Sequence, residues 1–316
     1  MGNIDLQLRT PLVAKPEKQL FEVGSKFVSI GSCFAETIGS KLINAEIECL
    51  NNSFGTVFNP ISLGQLLSNE PLFNFENRFL ERDGKYFHYG LPSALQGNSI
   101  EQLTAQIELA RATFQERLNN ADCLLITLGT ALSFNWITDG FPVANNHKQA
   151  ANLFTKQMLS VEEIVNALVP VLKEILKQNS LLKIIITVSP VRHTRQGLEN
   201  NFLSKSILRL AIDAIQKELG ESIIYFPAFE LLTDDLRDYR FYAEDMVHPS
   251  PVAEEYIWQF FQQTFCSNNL QQYIRLAENK QRALAHKPTN TEGLEYMKWQ
   301  SFIAQVDEQL AAMKLK

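Results

Sequence analysis

Three apolar runs dominate the hydropathy of the chain: Cys123-Leu124-Leu125-Ile126-Thr127-Leu128, Ile184-Ile185-Ile186-Thr187-Val188 and Ser222-Ile223-Ile224-Tyr225-Phe226. A shorter one, Phe27-Val28-Ser29-Ile30, precedes them, and 46–50 is a candidate for another short strand. These β-rich, nearly unbroken runs suit strands covered on both faces, as in a parallel sheet. Between them apolar residues return at helical spacing, predicting helices over 161–177, about 201–219 and 249–265. Two more are predicted over 61–67, opened by Pro60, and over 99–118 through Ile100, Leu103, Ile107, Ala110 and Phe114. Alternating strand and helix predicts a three-layer α/β/α sandwich with a mostly parallel central sheet. Gly31, Gly129, Ser189 and Pro227 each follow a strand. In open sheets of this kind ligands sit beyond those carboxyl ends, so one edge should collect the chemistry.

Other stretches read more simply. Residues 1–25, with Pro11, Pro16 and Gly24, form an irregular lead-in. The aromatic segment 73–89 (Phe73, Phe75, Phe79, Tyr86, Phe87, His88 and Tyr89) suits a hairpin turning at Asp83-Gly84, placed either along a groove or against the core. Past the last amphipathic helix, 270–285 and 291–315 are charged and helix-prone. The expected organisation is one α/β domain over 1–268, its core about 27–265, followed by a helical appendage over 269–316.

Composition narrows the function classes. With 316 residues and 45% hydrophobic content, the chain can bury one substantial core. A net charge of −6 and no basic cluster argue against a nucleic-acid partner. No apolar stretch approaches the roughly 18 residues needed to span a bilayer, and the first residues lack a signal-peptide layout. A cytoplasmic protein is expected. Cys33, Cys49, Cys123 and Cys266 show no metal or CxxC spacing, and no two histidines are spaced as ligands. Neither a metal nor a cofactor is predicted, and Cys33 is left as a free thiol.

Candidate chemistry begins where the first strand turns into a helix, at Gly31-Ser32-Cys33-Phe34-Ala35. A helix N-terminus offers unpaired backbone N–H groups and the positive end of the helix dipole. Ser32 and Cys33 are both nucleophiles there, although Ser32 as an N-cap and Cys33 as a small core residue would explain them equally. The second constellation is Asp245-Met246-Val247-His248. A carboxylate three positions before a histidine can bond Nδ1, fix the tautomer and leave Nε2 as a base.

A nucleophile after the first strand and D-x-x-H near the last helix resemble the SGNH, or GDSL-type, hydrolases. More particularly, Gly31-Ser32-Cys33-Phe34-Ala35 is similar to the name-giving motif of the GSCFA family. Phe54-Gly55 with Asn59-Pro60, Thr127-Leu128-Gly129-Thr130, Thr187-Val188-Ser189-Pro190-Val191-Arg192-His193 and the segment from Asp238 to Pro249 resemble it too. The resemblance implies Cys33, or alternatively Ser32, as nucleophile, His248 as base and Asp245 as its orienting carboxylate. It also implies oxyanion donors in the Cys33 and Gly55 N–H groups, with an Asn after the third strand. The chain departs from that last feature, reading Gly129-Thr130-Ala131. Thr130, Asn59 or Asn135 are the substitutes at hand. His193 with Arg192 and Arg195, and His147 with Lys148, are candidate contacts for a polar or anionic substrate group. The implied activity is hydrolysis or transfer of an acyl group from an ester or thioester, with an acetylated saccharide as one substrate. The alternative is a non-catalytic module binding a glycan or acyl ligand on the same fold.

Overall fold

The computed structural model describes residues 10–15, 19–68 and 78–315. Phe73 and Phe75 of the aromatic segment lie outside them. Strand β1 (Phe27–Gly31) leads into α1 (Cys33–Asn44) and the short β2 (Cys49–Asn51). Helix α2 (Pro60–Leu67) follows, capped by Asn59 and with Pro60 in its first turn. A hairpin of β3 (Phe79–Arg82) and β4 (Lys85–His88) turns at Asp83 and Gly84, both with positive φ. Next come α3 (Ile100–Asn119), β5 (Cys123–Leu128), β6 (Leu132–Trp136), β7 (Pro142–Val143) and β8 (Phe154–Met158). The chain continues through α4 (Val161–Gln178), β9 (Lys183–Val188), α5 (Leu198–Leu219) and β10 (Ile223–Phe226). A short α6 (Ala228–Glu230) runs on as a π-helical turn, before α7 (Pro251–Phe265), α8 (Asn268–Ala285) and α9 (Leu294–Lys314).

The central sheet is parallel throughout, in the order β10-β9-β5-β1-β2. Counting these five strands as they occur in the chain gives 2-1-3-4-5, the flavodoxin-like doubly wound order. Its switch point falls between β1 and β5, where connections leave to opposite sides and open a crevice. Alternate side chains serve the two faces. Val28, Ile30, Leu124, Ile126, Ile184 and Ile186 pack in one cluster with α2, α3, α4 and α5. Phe27, Cys123, Leu125, Ile185 and Ile224 pack in the other with α1 and α7. The predicted three-layer sandwich is therefore the observed fold.

The C-terminal helices are present as helices. Leu270, Tyr273, Ile274 and Ala277 of α8 join the cluster that holds α1 and α7, whereas α9 adds Val306 and Leu310, with Met313 packed against them. Lys280 ties α8 to both Glu46 and Asp307.

One substructure has no counterpart in the sequence expectation. β6, β7 and β8 form an antiparallel sheet in the order β7-β6-β8, inserted between β5 and α4. β7 has two residues, and Thr155, Lys156 and Gln157 of β8 are exposed, so neither strand carries a hydrophobic signature. Tyr89 beyond the hairpin packs on Trp136 and Phe154, with ring centroids 5.0 Å and 5.7 Å away. Of the two placements open to the aromatic segment, its described part is packed against this sheet.

Candidate active site

The crevice between β1 and β5 is built by a turn that admits only glycine. Gly31 has φ of 135°, and a Cβ there would lie 2.2 Å from the Thr127 carbonyl oxygen. The turn is held by three bonds. The Gly31 N–H donates to Asn52 Oδ1 (2.9 Å), the Ser32 N–H to Thr127 O (3.0 Å) and the Val57 N–H to Gly31 O (2.9 Å). The side chains that follow diverge. Ser32 is the N-cap of α1 and 1% exposed, and its Oγ has no hydrogen-bond partner. Cys33 opens the helix and is half-buried. Burial pushes its thiol above the ordinary range, while the Lys205 charge and the N–H groups of Cys33 and Phe34 pull it back.

His248 and Asp245 occupy a tight loop ahead of α7. The His248 Nδ1–H donates to Asp245 Oδ2 at 2.6 Å, leaving Nε2 as the free ring nitrogen. Asp245 Oδ1 accepts from the N–H groups of Val247 (2.9 Å) and His248 (3.0 Å). These bonds from His248 and Val247 hold the Asp245 carboxyl down at about 2. Both side chains are half-exposed. The loop is closed on itself by Ala243 N–H to His248 O and Ser250 N–H to Phe241 O, each 2.8 Å. The Arg192 N–H ties it to the segment after β9 through Val247 O (3.1 Å). The Arg192 guanidinium stacks 3.7 Å from the centre of the Tyr242 ring. Arg192 thus braces the loop that carries His248.

His193 follows the end of β9. Its Nε2–H donates to Gly129 O (3.1 Å), its backbone N–H donates to Asn201 Oδ1 (2.9 Å), and its ring meets Phe58 edge-on. Burial, the Lys205 charge and His248 bring it down to about 4, so it is a neutral donor at ordinary pH. A cavity of about 180 Å³ opens beside it, lined by Thr130, Leu132, Met158, Asn200 and Ser204. A larger one of about 390 Å³, between α2 and α4, gathers none of these groups.

Several expected residues have other occupations. The Gly55 N–H donates to Asn52 O at 2.6 Å, within the turn that carries the Gly31 clamp, and so is not offered to the crevice. Thr130 Oγ1 is bonded to Ser204 Oγ (3.0 Å) and accepts from the Leu132 N–H (3.0 Å). Asn59 caps α2, accepting from the Ser62 N–H (2.9 Å), and its amide donates to Ser62 Oγ (3.1 Å). Asn135 is bonded within the antiparallel sheet to Ser133 and Gln157. His147 is 1% exposed and bonded to Ser93 Oγ and His88 O, with its ring against Phe87, away from the crevice. For Gly55, Thr130, Asn59 and His147 the reason is one: each polar group already has a partner close by in the fold.

Two participants escaped sequence reasoning. Asn52 clamps the backbone of Gly31 from both sides, accepting from its N–H and donating to its carbonyl (3.4 Å). Lys205 is 1% exposed on α5, and its Nζ donates to Gly129 O (2.7 Å) and Ser189 O (2.8 Å) at the ends of β5 and β9. A signal for it existed. Asn201, Ser204, Lys205, Leu208, Ala211, Ile212 and Ile215 form the buried stripe of α5, so helical spacing puts a lysine on the core side.

The chain is thus a doubly wound α/β protein with a thiol at the turn after β1 and a carboxylate-oriented histidine on the loop before α7. The chain belongs to the GSCFA family, whose model matches residues 26–261. No functionally curated protein matches it. Among solved structures it is similar to a protein of Streptococcus pneumonia assigned as a platelet activating factor. That pair shares 14% identity, covers 78% of this chain and 86% of the other, and has a TM-score of 0.40. A protein of Parabacteroides merdae assigned as a GDSL-like lipase has 13% identity, 78% and 98% coverage and a TM-score of 0.41. A carbohydrate esterase family 3 protein from Talaromyces cellulolyticus has 8% identity, 81% and 99% coverage and a TM-score of 0.38. Likenesses this distant leave function to the geometry of the site itself. Among the described residues, no group of three His, Cys, Asp or Glu side chains could hold a metal ion. No helix among them is long and apolar enough to cross a membrane.

Proposed function

We propose that this protein hydrolyses or transfers the acyl group of an ester or thioester, with Cys33 as nucleophile, His248 as base and Asp245 as the group orienting His248. The observation that carries the reading is the 2.6 Å Asp245–His248 bond, which leaves Nε2 unbonded on a loop that the Arg192 N–H ties to the segment after β9. Asp245 fixes the tautomer and stabilises the imidazolium formed when Nε2 takes the thiol proton. Sγ then attacks the carbonyl carbon, and the leaving alcohol or thiol takes the proton back from His248. Water or an acceptor hydroxyl resolves the acyl-enzyme. The first N–H groups of α1, at Cys33 and Phe34, replace Gly55 as donors to the oxyanion, because a helix start leaves them without intrahelical acceptors. The accessibility of Cys33 beside a buried Ser32 favours the thiol as nucleophile. An acetylated carbohydrate is the first substrate class to try, a choice that rests on family resemblance alone.

A second reading has its own observation. Gly55, Thr130 and Asn59 are all engaged elsewhere, so the crevice holds fewer oxyanion donors than the resemblance implies. Losing one such donor typically costs about 10²–10³ in rate. A module that binds a glycan or acyl ligand without turnover meets that geometry. Incubation with an activated acetyl ester, with and without an acceptor sugar, separates the two. A trapped acetyl group on Cys33, found by mass spectrometry of the intact chain and its peptides, establishes the enzyme; no acylation and no turnover leave the binding module.

A further inference from the structure

Lys205 is a buried ammonium with no carboxylate partner among the described residues. Its hydrogen bonds reach only two carbonyls, Gly129 O and Ser189 O, and its other near neighbours are the Phe229 ring at 6.0 Å and the neutral His193. Burying a cation so completely is strongly unfavourable unless a counter-charge is available. The sheet register shows where one can form. Gly31 pairs with Thr127 and Thr127 with Thr187, so β1, β5 and β9 end at the same edge of the sheet. Past Gly31 the chain turns into α1, and the Ser32 N–H donates to Thr127 O (3.0 Å), which holds the start of that helix at the end of β5. Gly129 O, one of the two carbonyls that grip Nζ, lies two residues beyond Thr127, so Lys205 and the turn carrying Cys33 share the same end of β5. The geometry points to Lys205 as a positioning residue for the reaction at Cys33: a fixed buried cation whose counter-charge is the Cys33 thiolate.

The inference rests on Cys33 being the ionising nucleophile of the reading above. When His248 takes the proton from Sγ, the thiolate forms at the strand end where Nζ is held, and its charge favours the protonated form of Lys205. The charge separation is then stabilised without any rearrangement. Each group's ionisation moves the other's: burial brings Lys205 down to about 7, and the Cys33 charge acts to raise it. Facing Cys33 from its own helix is Glu36, which works in the opposite direction. His193, the remaining titratable neighbour of Lys205, stays neutral through this range.

Site-resolved alkylation of Cys33 by iodoacetamide across pH, read by peptide mass spectrometry, tests this without an ester substrate. Failure of the hydrolase reading would leave the profile interpretable. Lys205→Met keeps the length of the side chain and removes the charge. Its Cys33 should alkylate about tenfold more slowly near neutral pH, as a thiol titrating about one pH unit higher would. A folded Lys205→Met protein with an unchanged Cys33 profile overturns the proposal. If that variant does not fold, the reciprocal measurement decides, because coupling acts equally in both directions. The Lys205 side-chain NMR titration should move to lower pH in Cys33→Ala than in the unmodified chain. A midpoint that stays where it was overturns the proposal as well.

Discussion

The two halves of the proposed site are made in opposite ways. Asp245 and His248 are three residues apart on one loop, half-exposed, and bonded through contacts within that loop. The other half joins Cys33, Gly129, Ser189 and Lys205 from α1, two strand ends and α5, with Lys205 wholly buried. The first half is local and wet, so its energetics are screened and its geometry belongs to a loop. The second is assembled by the sheet register and dry, so a charge there is felt strongly and depends on the whole fold. Substitutions should therefore disturb the fold less in the first half than in the second.

The sharpest way to break this comparison is to remove the thiol. Cys33→Ala should abolish acylation by an activated acetyl ester, whereas Ser32→Ala should only slow it; intact-mass measurement distinguishes them. The opposite pattern would transfer the nucleophile to Ser32. Next in size, Asp245→Asn should lower the acylation rate by about 10³–10⁴-fold by releasing the His248 tautomer. Because the pair is exposed, the thermal midpoint of that variant should barely move. A midpoint that falls with the rate would show the loop to be structural.

The buried half predicts effects on stability instead. Lys205 titrates at about 7 in the fold against 10.5 for the free side chain, so the unfolded chain binds the extra proton between these values. Stability of the unmodified protein should therefore rise, relative to Lys205→Met, as pH goes from 7 to 9 in denaturant titrations. A constant difference would mean that Lys205 does not titrate there. The smallest expected effect comes from the buried histidines. Burial above all holds His193 at about 4 and His88 at about 3, below the ordinary 6.5. Their stabilising contribution is complete above 6.5 and is lost as pH falls through 4 and then 3. His193→Gln should flatten the upper part of that acid limb, measured by urea unfolding at pH 7 and pH 4.5.

The legibility of the molecule follows the same division. β1, β5, β9 and β10 are buried on both faces and were readable as unbroken apolar runs. The Asp83-Gly84 turn and the Asp245–His248 pair were readable because their interactions close within a few residues. β6, β7 and β8 were not, since their pairing partners lie across loops and β8 presents mostly polar side chains. Nor could sequence assign Gly55, Thr130 and Asn59. Each has a donor suited to the crevice, and only the surrounding hydrogen bonds show that it points elsewhere.

By itself the sequence determined the order of strands and helices, the sharp glycine turn before Cys33 and the local Asp245–His248 couple. These depend on hydrophobic period, backbone freedom and short-range bonding, all of which act between near neighbours. Tertiary structure decided that Ser32 is buried while Cys33 is accessible, that the expected oxyanion donors are engaged, and that Lys205 lies at the ends of β5 and β9. The reason is that burial and long-range electrostatics depend on which distant segments meet, and sheet register sets that only once the fold has closed.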